Sequence, residues 1–223
     1  MKAKVLIACV GLCFAATVLM TSCVQKNYYG ADPNYNNNNN NNGSYTTNFD
    51  EEFNGTDVHN WTFTDAVDSA YGSVLNGSYQ YVDYSTTISN MTNVNTGINP
   101  QGNFTVTTNL KANNTMGLIF GASSADNGYA FFVDTLGNYS LYKEGIGSTA
   151  STVVIPFTQD TLNVVKKGWN ALEVDQTNGV WTGFINGSQV FSISARTITG
   201  AYFGFKVLPG TVGYADYLRV NSN

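Results

Sequence analysis

Across residues 46–223 the chain offers no run with helical periodicity. Apolar residues alternate with polar ones or stand in short blocks, punctuated by Gly and Asn. That pattern restricts the fold to short strands. Phe104, Val106, Thr108 and Leu110 read as one strand face, and residues 116–120 as a second strand ending at Gly121. Residues 129–133 are a third, and Leu136-Gly137-Asn138 turns the chain into residues 139–143. Residues 151–157 follow. Residues 169–175 and 180–185 flank the turn Gln176-Thr177-Asn178-Gly179, and residues 202–208 and 212–220 close the series. Asn76-Gly77 and Asn186-Gly187 are hairpin signals, because both residue types tolerate positive φ. Charged residues are only 11% of the chain and aromatics 13%, a balance that favours strands. The expectation is an all-β, two-sheet antiparallel β-sandwich of one domain.

The N-terminus has a different character. Lys2 and Lys4 precede an apolar stretch over residues 5–20, interrupted by Gly11, and then Leu19-Met20-Thr21-Ser22-Cys23. A basic start, a short apolar core and small residues before a cysteine make an export signal. Sixteen apolar residues fall short of the roughly 20 that span a bilayer. The segment resembles a bacterial lipoprotein signal peptide and lipobox, with Met20 where Leu is commoner. The resemblance implies that residues 1–22 are removed and that Cys23 becomes an acylated, palmitate-bearing N-terminus. Several acyl chains hold a protein on a membrane where one holds it only marginally. The expected location is the cell envelope, anchored in the outer membrane. Val24-Gln25-Lys26-Asn27 lacks an acidic export cue, so the periplasmic or surface face stays open. Cys9 and Cys13 fall in the removed segment, which leaves no partner for a disulfide. Residues 23–45 contain the Asn run 36–42, which cannot bury a face, and read as a disordered tether.

Charge excludes one class of partner. The formal net charge is −5, and without Lys2 and Lys4 eight basic residues face fifteen acidic ones, a balance of about −7. Lys166-Lys167 is the only adjacent basic pair. Nucleic acid is not an expected partner, because phosphate binding needs concentrated positive charge.

Several segments together resemble the concanavalin A-like lectin/glucanase jelly rolls. They are Gly117-Leu118-Ile119-Phe120-Gly121, Gly128-Tyr129-Ala130-Phe131-Phe132-Val133-Asp134, and Gly168-Trp169-Asn170-Ala171-Leu172-Glu173-Val174. The run Phe184-Ile185-Asn186-Gly187 and the closing Gly213-Tyr214-Ala215-Asp216-Tyr217-Leu218-Arg219-Val220 also fit. Laminin G-like domains and the 3-keto-disaccharide hydrolase domain are the subtypes it is most similar to. That superfold hosts lectins, enzymes and adhesive modules alike. The resemblance also implies a structural calcium where the terminal strands pair, with Asp50, Glu52 and Asp216 as oxygen ligands.

Glycoside hydrolysis requires two carboxylates flanking the bond. Hydrolases on this fold carry Glu-x-Asp-x-x-Glu on one strand. Glu173-Val174-Asp175 matches its start, with both carboxylates on one face, but Asn178 replaces the last. No catalytic residues are therefore assigned. His59, the only histidine, reads as a surface residue beside a loop. Sugars are held by aromatic rings against their apolar faces, with amides and carboxylates on the hydroxyls. Trp181 is a candidate if Val180 and Phe184 turn inward, Tyr142 stands opposite Leu141 on its strand, and Trp61 lies near the domain entry. Trp169, next to the Leu172/Val174 strand, reads as core. The expected function is a lipid-anchored, non-catalytic carbohydrate-binding module. The alternatives are a glycoside-cleaving enzyme like the 3-keto-disaccharide hydrolases, or an adhesive lipoprotein acting through protein contacts.

Overall fold

The computed structural model describes residues 27–29, 48–87, 89–123, 127–145 and 149–222. Among these residues every regular element is a strand. They are β1 (Asn27–Tyr29), β2 (Asn48–Glu51), β3 (Phe63–Asp65), β4 (Ala70–Leu75), β5 (Ser78–Asp83), β6 (Asn90–Asn95), β7 (Phe104–Ala112) and β8 (Thr115–Ala122). The second half gives β9 (Gly128–Asp134), β10 (Asn138–Glu144), β11 (Thr152–Gln159), β12 (Asn170–Thr177), β13 (Val180–Ile185), β14 (Ser188–Ser194), β15 (Tyr202–Val207) and β16 (Thr211–Ser222). One sheet has seven strands in the order β1-β6-β15-β8-β9-β10-β11. The other has nine, β14-β13-β12-β7-β16-β5-β4-β3, with β2 added against β16. All pairings are antiparallel except β1 on β6. The expected all-β sandwich is the fold the chain adopts. The expected signal peptide, Cys23 and most of the tether lie outside the described residues, while Asn27–Tyr29, inside that tether, is the edge strand β1.

Local chemistry explains the corners. Asn76-Gly77, Asn178-Gly179 and Asn186-Gly187 each hold two consecutive residues at positive φ, between 51° and 80°. That is the turn whose twist matches two paired strands. Alternation then sorts the strands: β7 buries Phe104, Val106, Thr108 and Leu110 and turns Thr105, Thr107, Asn109 and Lys111 away. The core between the sheets is rich in rings. At one end Trp61 lies 5.4 Å from Phe53 and Phe205 and 5.5 Å from Tyr79. At the other, Trp181 meets Tyr129 at 4.5 Å and Phe120 at 5.1 Å, both edge-on, an arrangement aromatic quadrupoles favour.

Candidate functional site

The three aromatics expected to meet sugar are placed apart, and all three are buried. Trp181 is 0% exposed and points between the sheets, so the inward set on β13 is Trp181, Gly183 and Ile185 rather than Val180 and Phe184. The alternation of β13 is apolar on both faces and did not decide the question. Space decides it: Gly183 carries no side chain, and the Phe191 ring fills the site where its Cβ would stand. The buried indole donates to Gln176 Oε1 at 2.7 Å. Trp61 is 1% exposed within the opposite ring cluster and donates to Glu51 Oε2 at 3.2 Å. Tyr142 is 8% exposed, on the outer face of the seven-stranded sheet between Phe132 and Phe157.

The carboxylates of the opening strand have partners other than a metal. Asp50 and Glu52 both accept from the Arg219 guanidinium. Glu51 turns inward instead and accepts from Phe53 N at 2.9 Å, His59 Nδ1 at 2.6 Å and Trp61 Nε1. The calcium site expected from Asp50, Glu52 and Asp216 is not assembled: among the described residues no three His, Cys, Asp or Glu side chains are grouped to hold an ion. Arg219 supplies the positive charge that the resemblance assigned to calcium.

The sequence reading missed the outer face of the nine-stranded sheet. Trp169, expected in the core, is 38% exposed there. Lys111 Nζ lies 5.0 Å from its ring centre and 5.1 Å from that of Tyr214. Register continues the row across three more strands: Lys111 faces Tyr214, Tyr214 faces Gln80, and Gln80 faces Ser73. Gln80 Nε2 donates to the Tyr214 hydroxyl at 3.0 Å. The face thus presents two rings, a clamped lysine stem and an amide in one line. Alternation backward from Leu172 and Val174 puts Trp169 on the outer face with Glu173, the signal that the core reading passed over.

A second row runs parallel to the first. Phe184, Glu173, Thr107, Arg219 and Asp50 face one another in turn across β13, β12, β7, β16 and β2. β16 is irregular between Ala215 and Leu218. The extra residue there lets Tyr214 and Tyr217, three apart, both face out. Tyr217 then walls a depression of about 200 Å³ that is lined also by Thr107, Glu173 and Phe184. The Arg219 guanidinium lies 4.3 Å from the Tyr217 ring centre. Burial, and then neighbouring Asp175, raise the pKa of Glu173 above the ordinary carboxylate value. Asp175 itself accepts from Thr105 Oγ1 at 2.6 Å. Glu173 and Asp175 share the outer face as alternation predicts, and the strand ends at once in the Asn178-Gly179 turn.

The outer face of the seven-stranded sheet is shaped differently. Lys206 on β15 and Glu144 on β10 form a buried ion pair, with Ser151 Oγ donating to the same carboxylate oxygen at 2.7 Å. Register sets Lys206 in line with Gly117, Phe132 and Ser140, and Glu144 four residues beyond. On a flat sheet about 14 Å across the strands and about 13 Å along them would separate the two backbones. Two extended side chains do not bridge that diagonal, so the sheet curls toward this face. Met91, Ile119, Ala130, Phe132 and Tyr142 form a separate apolar cluster on it. Beside them Asn93 and Ser140 carry buried side-chain polar atoms without a hydrogen-bond partner.

No family model matches the sequence, and no curated protein matches it significantly. Solved structures do match in shape. A native glycosidic hydrolase aligns over 81% of this chain and 98% of its own, with a TM-score of 0.51 and 12% identity. The carbohydrate-binding module CBM66 from Bacillus subtilis aligns over 80% and 97%, with 0.48 and 14%. A Bacillus licheniformis beta-glucanase aligns over 81% and 100%, with 0.48 and 10%. At such identities the likeness is one of fold. The two-sheet antiparallel sandwich is the fold this chain shares with that glycosidic hydrolase.

Proposed function

We propose that this protein is a lipoprotein of the cell envelope, anchored in the outer membrane through acylated Cys23, whose sandwich binds carbohydrate without cleaving it. The observation that carries the reading is the outer-face row Trp169–Lys111–Tyr214–Gln80, with Trp169 exposed and the other three half-buried. Large rings held in the open, next to amide and hydroxyl groups, suit a ligand with apolar ring faces and polar edges. The lysine clamped between the rings fixes their orientation in advance, which lowers the ordering cost of binding. The absence of cleavage is supported by the placement of carboxylates. Glu173-Val174-Asp175 begins the one-strand Glu-x-Asp-x-x-Glu pattern of hydrolases on this fold, but Asn178 stands where its last carboxylate would, and an amide cannot serve as the general acid.

A glycan array probed with the full chain in detergent tests this reading. Binding to at least one polysaccharide class is expected, falling at least tenfold in Trp169→Ala, or about 1.4 kcal/mol. The thermal midpoint should stay near that of the parent, because Trp169 is not core. No glycan bound, or equal binding by Trp169→Ala, would defeat it. A second reading puts the ligand on the curled face, where Asn93 and Ser140 hold unpartnered polar atoms. Loss of binding in Asn93→Ala, with Trp169→Ala unaffected, would select that face. Mass spectrometry of the mature N-terminus tests the anchor: Cys23 is expected to carry acyl chains, and a chain starting elsewhere refutes it.

A further inference from the structure

The depression beside the aromatic row differs from it in charge. Its floor is the Glu173 carboxylate, its walls are the Phe184 and Tyr217 rings, and the short Thr107 leaves the space open. Among the described residues Glu173 has neither an ion-pair nor a hydrogen-bond partner. The nearby cations are committed elsewhere. Arg219 holds Asp50 and Glu52 and lies on the Tyr217 ring, and Lys111 sits between Trp169 and Tyr214. The remaining charged neighbours are negative: Asp175 acts on Glu173, and Asp216 acts on Tyr217. A partly desolvated carboxylate between two ring walls lacks the group that would offset it.

We infer that this pocket receives an organic ammonium group, namely the free amine of an unacetylated amino sugar within the bound glycan. A carboxylate gives the cation its counter-charge, and the ring faces attract it through their quadrupoles. A neutral sugar hydroxyl would donate a hydrogen bond to Glu173 yet leave its charge uncompensated. The inference rests on the carbohydrate reading for the carrier, while the pocket itself specifies the charge.

The test compares three ligands of equal length on the full chain in detergent, by calorimetry at low salt. They are glucosamine oligomers, N-acetylglucosamine oligomers and neutral glucose oligomers. The glucosamine series is expected to bind at least tenfold more tightly than either of the others. Glu173→Gln should abolish that preference, and Tyr217→Ala should reduce it severalfold. Both variants are compared at equal folded fraction by circular dichroism. Binding of all three series without preference, or a preference that survives Glu173→Gln, would overturn the inference and leave the carbohydrate reading standing. Binding of none of the three, when other glycans on the array do bind, would also overturn the inference alone. Silence across the whole array would remove both.

Discussion

Trp181 gives the sharpest test of where this molecule keeps its aromatics. The indole is fully buried, edge-on to Phe120 and Tyr129, and its Nε1 donates to Gln176 Oε1. Gln176 in turn donates Nε2 to the Gly102 carbonyl at 2.6 Å, which ties the entry of β7 to β12. Trp181→Ala therefore removes a core ring and strands a buried amide oxygen. Truncating a buried tryptophan costs about 3–5 kcal/mol, and orphaning a polar partner lies within a further ~1–3 kcal/mol. A domain holds about 5–15 kcal/mol in total, so the variant loses about a quarter or more of its stability. With a urea m-value of about 1–3 kcal/mol/M, the midpoint should fall by at least about 1 M. Far-UV circular dichroism is the readout, since the substitution itself alters fluorescence. Trp181→Phe keeps most of the ring and loses only the donor, so its loss should be about 1–2 kcal/mol. A shift in Trp181→Ala below about 0.3 M would refute the buried placement, and with it the inward set on β13.

Other perturbations probe separate parts of the argument. Lys206→Met leaves Glu144 buried without its cation and should cost about 3–5 kcal/mol, whereas Lys206→Met with Glu144→Leu should recover most of that. Urea unfolding of the single and double variants decides it, and equal losses in both would contradict a coupled pair. The raised pKa of Glu173 has a definite sign: the folded state holds that proton more tightly than the unfolded one. Stability from this group is complete below the unfolded carboxylate pKa and is lost as pH rises through the folded one. Glu173→Gln should therefore melt higher than the parent at pH 7 and no higher at pH 3. Scanning fluorimetry across that range checks it, and a lower midpoint at pH 7 would reverse the assignment.

Much of the architecture is legible in the pattern of residues. The alternation of Phe104, Val106, Thr108 and Leu110 is that of β7, and the three Asn-Gly pairs sit at left-handed turns as their chemistry requires. β13 coincides with the expected strand over residues 180–185, yet which of its faces turns inward was not legible. Both of its faces carry large apolar residues, so period alone is indifferent between them. The terminal carboxylates were read as metal ligands because Arg219, 167 residues along the chain from Glu52, could not be paired with them before the strands were aligned.

What the sequence by itself determined was the class of fold and the position of its corners, because strand periodicity and Asn-Gly turns act over a few neighbouring residues. Tertiary structure alone decided which rings stay in the open and which carboxylate is left without a partner. Trp169, Lys111 and Tyr214, like Glu173 and Thr107, meet only through pairing between strands distant in sequence, whereas Phe184 reaches Glu173 across a hairpin. The register of that pairing is set by packing between the two sheets, a collective property of the whole core.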